Sequence, residues 1–235
     1  MTIKNISWMA VLIVVLLLAA CSGSPEAATE PQEQEPPQEQ TQEQSQEQVQ
    51  EQQEPSQNQP VDDLEGQPPT VSEAATTVMR SLKNGDMSQI AAWAHAEKGV
   101  RFSPYAYVDT KTDLVFKQDE LEGLMKDPTE RVWRTFAGSG EVIEMPYAEY
   151  HKQFVYDADF LEDAEISVNK VLGESTTVNN LNEVYSADQY DFVDYYIKGT
   201  DPGADGMDWR SLRLVFEKIG PDHALVGIVH DQWTP

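Results

Sequence analysis

Apolar positions in residues 70–235 keep one period in the first part of the segment and another in the second. Val71, Ala74, Ala75, Val78 and Leu82 stand three or four residues apart, which places them on one face of a helix. Thr70 and Glu73 form a capping box at its start. Asn84-Gly85 ends it, because Gly enters the left-handed region without a Cβ penalty. Asp86 then caps a second helix running to about Ala94, with Ile90 and Trp93 turned inward. A shorter helix is expected over residues 118–126. Pro146 opens another in its first turn, with Tyr147, Tyr150 and Phe154 on one side.

The period then changes to that of strands. Residues 166–172 and 190–198 are β-rich runs bounded by turn residues. Leu212, Leu214 and Phe216 alternate with Ser211, Arg213 and Glu217. Gly220-Pro221-Asp222 makes a turn, and residues 224–233 return as a hairpin partner. Strict alternation puts Val226, Ile228, His230 and Gln232 on one face of that last strand. Leu225, Gly227, Val229, Asp231 and Trp233 fall on the other. Both faces are mostly apolar, so the strand should be covered on both sides, with Trp233 pinning the chain end. Helices followed by a long antiparallel sheet make an α+β pattern. Its element order resembles the NTF2-like superfamily and cystatin-like cones, which implies N-terminal helices packed on a curved antiparallel sheet.

The first seventy residues follow neither period. An apolar run from Trp8 to Ala20 comes after the weakly basic start at Lys4 and is too short to span a bilayer. It fits the core of a signal peptide over residues 1–20. Leu18-Ala19-Ala20-Cys21 closes it and resembles the lipobox of bacterial lipoproteins. That resemblance implies cleavage before Cys21 and a diacylglyceryl group on its thiol. Stable anchoring requires more than one acyl chain, which such a modification supplies. Residues 21–69 then read as a disordered tether. Tetrads of the form x-Gln-Glu-Gln run from Pro37 to Gln52 and offer no apolar face to bury.

Charge sharpens this division. Residues 22–70 hold 12 of the 41 acids and no Lys or Arg, so residues 71–235 carry 29 acids against 15 bases. A domain near −14 lacks the basic stripe that nucleic acid requires, and an anionic bilayer repels it. Membrane contact is therefore expected through the lipid alone. Cys21 is the sole cysteine, which excludes an intrachain disulfide, a thiolate nucleophile within the domain and Cys-ligated metal.

Few residues suggest chemistry. His95, His151, His223 and His230 show no metal-ligand spacing, so neither metal nor cofactor is expected. His151 and His223 read as solvated. His230, ending a core strand beside Asp231, is the strongest acid–base candidate and could orient against Asp208. Gly138-Ser139-Gly140 lacks the nucleophile-elbow pattern and reads as a loop between two short strands. The acidic stretch 201–208 fails the EF-hand pattern and reads as a hairpin connection. Arg101, Tyr105, Trp133, Trp209, Arg213, His230 and Trp233 form a polar-aromatic set able to line a pocket on a concave sheet face.

Three stretches, Gly-Val-Arg-Phe-Ser-Pro-Tyr at 99–105, Asp-Trp-Arg-Ser-Leu-Arg-Leu-Val-Phe at 208–216 and Leu-Val-Gly-Ile-Val-His-Asp-Gln-Trp-Thr at 225–234, resemble a group of uncharacterised bacterial lipoproteins. The resemblance implies no activity. The expectation is a membrane-anchored extracytoplasmic lipoprotein whose domain (70–235) binds a small ligand, a peptide or an envelope partner without catalysis. The alternatives are a structural or assembly module, such as a homodimer on an open sheet face, and a His230-dependent hydrolase or isomerase.

Overall fold

The computed structural model describes residues 67–173 and 175–235. The expected signal peptide, Cys21 and the tether as far as residue 66 lie outside them. Helix α1 (Val71–Asn84) starts and stops where its caps require. Thr70 N–H donates to Glu73 Oε2 at 2.8 Å, Glu73 N–H returns to Thr70 Oγ1 at 3.4 Å, and Gly85 sits at φ 64°. In α2 (Met87–Trp93) the Asp86 carboxylate accepts the Gln89 N–H at 3.2 Å. The helix expected over 118–126 divides into α3 (Gln118–Leu121) and a 3-10 turn (Leu124–Lys126), with Gly123 between them. Glycine weakens a helix interior by about 1 kcal/mol, and so short a helix cannot absorb that. Helix α4 (Tyr147–Phe154) buries Tyr147, Tyr150 and Phe154 as their spacing predicts. Two one-turn helices, α5 (Phe160–Asp163) and α6 (Leu181–Val184), are too short to show a period in sequence.

Strands β1 (Val100–Ser103), β2 (Leu114–Phe116), β5 (Glu165–Val168), β6 (Tyr190–Ile197), β7 (Arg210–Ile219) and β8 (Asp222–Gln232) form one sheet in the order β2-β1-β8-β7-β6-β5. All its pairings are antiparallel except β1 with β8, which run parallel. Strands β3 (Arg131–Thr135) and β4 (Val142–Met145) make a separate hairpin closed by the Gly138-Ser139-Gly140 loop. The class is the α+β arrangement anticipated above, with helices packed on a curved, largely antiparallel sheet.

A bulge in the β7–β8 ladder corrects the expected faces of the last strand. Val215 pairs with Gly227 and Phe216 with Leu225, so Val226 is an extra residue. Leu225 therefore joins Ile228 in the inner core with Leu212, Leu214 and Phe216. Val226 joins Val229 and Val215 in an outer cluster with Val108, Leu181, Tyr185 and Phe192. The strand is covered on both sides, as expected. The helices cover the inner face, and the chain's own segments around Val108 and Leu181 cover the outer one.

Trp233 does not pin the chain end, being 38% exposed. Thr234 does so instead, its N–H donating to Thr176 Oγ1 at 3.0 Å.

Candidate functional site

The seven polar-aromatic candidates are distributed over separate environments. Trp133 is a core residue stacked on Tyr150 with ring centroids 3.7 Å apart, and its indole N–H donates to Met145 O at 2.9 Å. Tyr105 lies buried edge-on to Phe154, its hydroxyl accepting the Ala137 N–H at 3.1 Å. Trp209 packs at 6.2 Å from the Tyr196 ring. Trp233 is at the surface. The common pocket expected on the concave face is therefore not assembled; tight helix–sheet packing fills that side with aromatic rings.

His230 is completely buried on the inner face, edge-on to Phe154. Its carboxylate neighbour is Asp157, not Asp208: Nε2 lies 3.2 Å from Asp157 Oδ1, and Nδ1 lies 3.3 Å from Pro104 O. Burial raises the Asp157 carboxyl. The facing His230 and the Arg210 guanidinium more than reverse this and hold it below the usual range. Asp208 instead accepts the backbone N–H groups of Thr200 and Asp201, each at 2.9 Å, which ties off the loop between β6 and β7. Among the described residues no group of acids and histidines is arranged to hold a metal ion.

Two further histidines depart from their expected exposure. His151 is 6% exposed against Tyr147, and burial holds it below its ordinary value. His223 is partly buried, 3.4 Å from Asp191 Oδ2. Local polarity around each suggested solvent, but the sheet and helix layers cover both.

Arg213 belongs to the outer face and is fully buried. Its Nη2 reaches Asp231 Oδ2 at 2.9 Å and its Nε approaches Asp194 Oδ1 at 3.6 Å. The hydroxyl of Ser175 also donates to Asp231, that of Ser211 donates to Asp194, and the Leu172 N–H meets Asp194 Oδ2 at 2.9 Å. This is an internal ionic cluster beneath the segment that follows β5.

Arg101 alone of the set lines a cleft of about 320 Å³, together with Lys98, Val115, Val184, Tyr185, Tyr190 and Val226. The sheet explains how the walls of this cleft are built. Val115, Arg101, Gly227, Val215 and Phe192 are successive partners across β2, β1, β8, β7 and β6. Gly227 has no side chain in that row, so Tyr185 occupies the gap; a Cβ at 227 would lie 3.0 Å from the Tyr185 hydroxyl oxygen. The bulged Val226 adds an apolar wall. Asn180 positions the Tyr185 segment: its side chain accepts the Val108 N–H at 2.8 Å and donates to Val108 O at 3.0 Å.

The electrostatics of the cleft are uneven. At its rim Lys98 Nζ lies 2.6 Å from Glu217 Oε2 and donates to the Tyr190 hydroxyl at 2.8 Å. Glu217 and then Tyr190 hold the ammonium above its usual value. Burial pushes the Tyr185 phenol up to about 12, so it stays a neutral hydrogen-bonding group at physiological pH. Arg101 Nη1 donates to the backbone carbonyls of Asp113 at 3.2 Å and Asp109 at 3.4 Å, fixing the guanidinium against the β1–β2 connection. The sequence singles out Arg101 but not Lys98, Tyr185 or Tyr190. They meet it only through the β1–β8 pairing and the α6 turn, and no local pattern signals that meeting.

No protein-family model and no curated protein matches the chain. Similar solved structures include a protein designated Rd1NTF2_05 in a substituted form, at 11% identity and TM-score 0.27, covering 68% of this chain and 94% of that one. Aln2 from a Streptomyces species is 12% identical with TM-score 0.29, covering 71% and 94%. A domain of unknown function with a cystatin-like fold from Nostoc punctiforme is 12% identical with TM-score 0.28, covering 70% and 79%. Likenesses at these scores carry no argument, and the fold rests on the helices and strands described above.

Proposed function

We propose that the protein is a lipid-anchored, extracytoplasmic binding module whose outer-face cleft takes a small organic ligand without chemical change. Residues 1–20 serve as a signal peptide, Cys21 carries the lipid and residues 22–69 are the tether. The observation carrying the binding role is the cleft walled by Arg101 and Tyr185. It combines two tyrosines, three valines and two cations, the mixture of apolar wall and few polar groups typical of a ligand site. Its volume lies at the low end for such sites and suits a small molecule better than a peptide. A non-catalytic role is favoured because His230, the best acid–base candidate, is sealed in the aromatic core. A general base must reach a substrate proton directly or through one water.

Two measurements test the two halves. The native chain should carry a lipid mass on Cys21 and sediment with membranes, while Cys21→Ala should move to the soluble fraction. A bare thiol, or a Cys21→Ala form that still sediments, would overturn the anchor. For the domain, small organic fragments titrated onto the full chain in lipid nanodiscs should shift the NMR signals of Tyr185, Tyr190 and Val226. A fragment set that leaves those signals unmoved would overturn the cleft as a binding site.

A further inference from the structure

From the charges around the cleft we infer that its ligand is a monocarboxylate with an apolar body, held by Arg101; this rests on the cleft being a binding site. Among the described residues, Arg101 is the one Lys or Arg that is neither exposed nor in ion-pair reach of a carboxylate. The other half-buried or buried cations, Arg131, Arg134, Arg210 and Arg213, each have an acidic partner at 2.6 to 2.9 Å. A domain with 29 acids and 15 bases has carboxylates in excess, yet none is placed on this guanidinium.

Removing a cation from water without a counterion is costly, so a guanidinium in a cleft with neutral partners alone is a place where an incoming anion gains most. Backbone carbonyls accept from Nη1 and the Tyr185 hydroxyl pairs with the same guanidinium, which orients the planar group; its five N–H donors exceed these neutral partners. Lys98 does not compete for that role, because Glu217 already balances it.

The rest of the cleft decides which anion. Val115, Val184, Val226 and the tyrosine rings give a wall that a phosphate ion could not use and that an aliphatic or aromatic body would bury. The acidic field of the domain penalises a second negative charge more than the first. One carboxylate on a small apolar frame meets both conditions.

Benzoate and its neutral isostere benzamide separate these effects when titrated calorimetrically into the full chain in zwitterionic nanodiscs, with empty discs as the blank. Benzoate should bind at least about tenfold more tightly than benzamide, the order expected for a charge-assisted hydrogen bond. The preference should shrink as salt is raised. Arg101→Gln should bring the two ligands together, while Arg101→Lys should keep part of the difference. Inorganic phosphate should bind more weakly than benzoate. Benzamide binding as well as benzoate would overturn the carboxylate assignment and leave the cleft reading standing, and phosphate winning would overturn the apolar-body assignment. If neither organic probe bound, the cleft reading and this inference would fall together. The comparison of benzoate with benzamide on the unmodified chain needs no variant to fold.

Discussion

Replacing Arg213 by Met should destabilise the domain severely. Arg213, Asp194 and Asp231 are all at or below 1% exposure, and the guanidinium is the only cation within ion-pair reach of either carboxylate among the described residues. Methionine fills much of the same volume, so the loss is chiefly electrostatic: two buried carboxylates lose their counter-charge. Removing one partner from a buried ion pair costs about 3–5 kcal/mol. For a domain of this size each kcal/mol lowers Tm by roughly 2–4 °C, which gives a fall on the order of 6–20 °C. Urea unfolding followed by tryptophan fluorescence, with a parallel thermal scan, measures both quantities. Arg213→Lys, which keeps a cation at the site, should recover part of the loss and so distinguishes this cause from poor packing. A loss below about 1 kcal/mol, or an Arg213→Lys form no more stable than Arg213→Met, would refute the reasoning.

Three other perturbations test different layers of the structure. Asn180→Ala leaves the buried Val108 N–H and C=O without partners and should cost about 1–3 kcal/mol, with benzoate affinity falling because Tyr185 loses its support; an unchanged urea midpoint would count against it. Gly227→Ala places a Cβ 3.0 Å from the Tyr185 hydroxyl and 3.4 Å from Val215, so Tyr185 must shift and ligand affinity should drop several-fold while Tm moves little; calorimetry beside a thermal scan checks both. His151, held by burial below its ordinary 6.5, is protonated more readily in the unfolded chain. Stability should therefore decline as pH falls below 6.5, and His151→Phe should flatten that decline in urea titrations at stepped pH.

The boundaries of α1, α2 and α4 and the span of β6–β8 were legible because their causes are local. A capping box, a left-handed glycine and a run of period-2 residues act within a few positions, so the chain states them directly. The same locality hides α5 and α6, since one helical turn carries too few residues to display a period. His230 was visible as a candidate, but its seclusion against Phe154 and Asp157 was not, because those residues come from a separate part of the chain. The bulge at Val226 was also invisible: alternation in β8 continues through it, and only the paired strand reveals that one residue is extra.

The sequence by itself therefore determined the class of the domain, its helix caps, its acidity and the expectation of a lipid at Cys21, all consequences of residue type and near-neighbour spacing. Tertiary structure alone decided that β1 lies parallel to β8 and sets Arg101 beside Gly227. It also decided that Asn180 carries Tyr185 over that gap and that no carboxylate reaches the guanidinium among the described residues. These are juxtapositions of segments up to more than a hundred residues apart in the chain. They follow from how two apolar faces of one sheet are covered, and no local pattern encodes which segment does the covering.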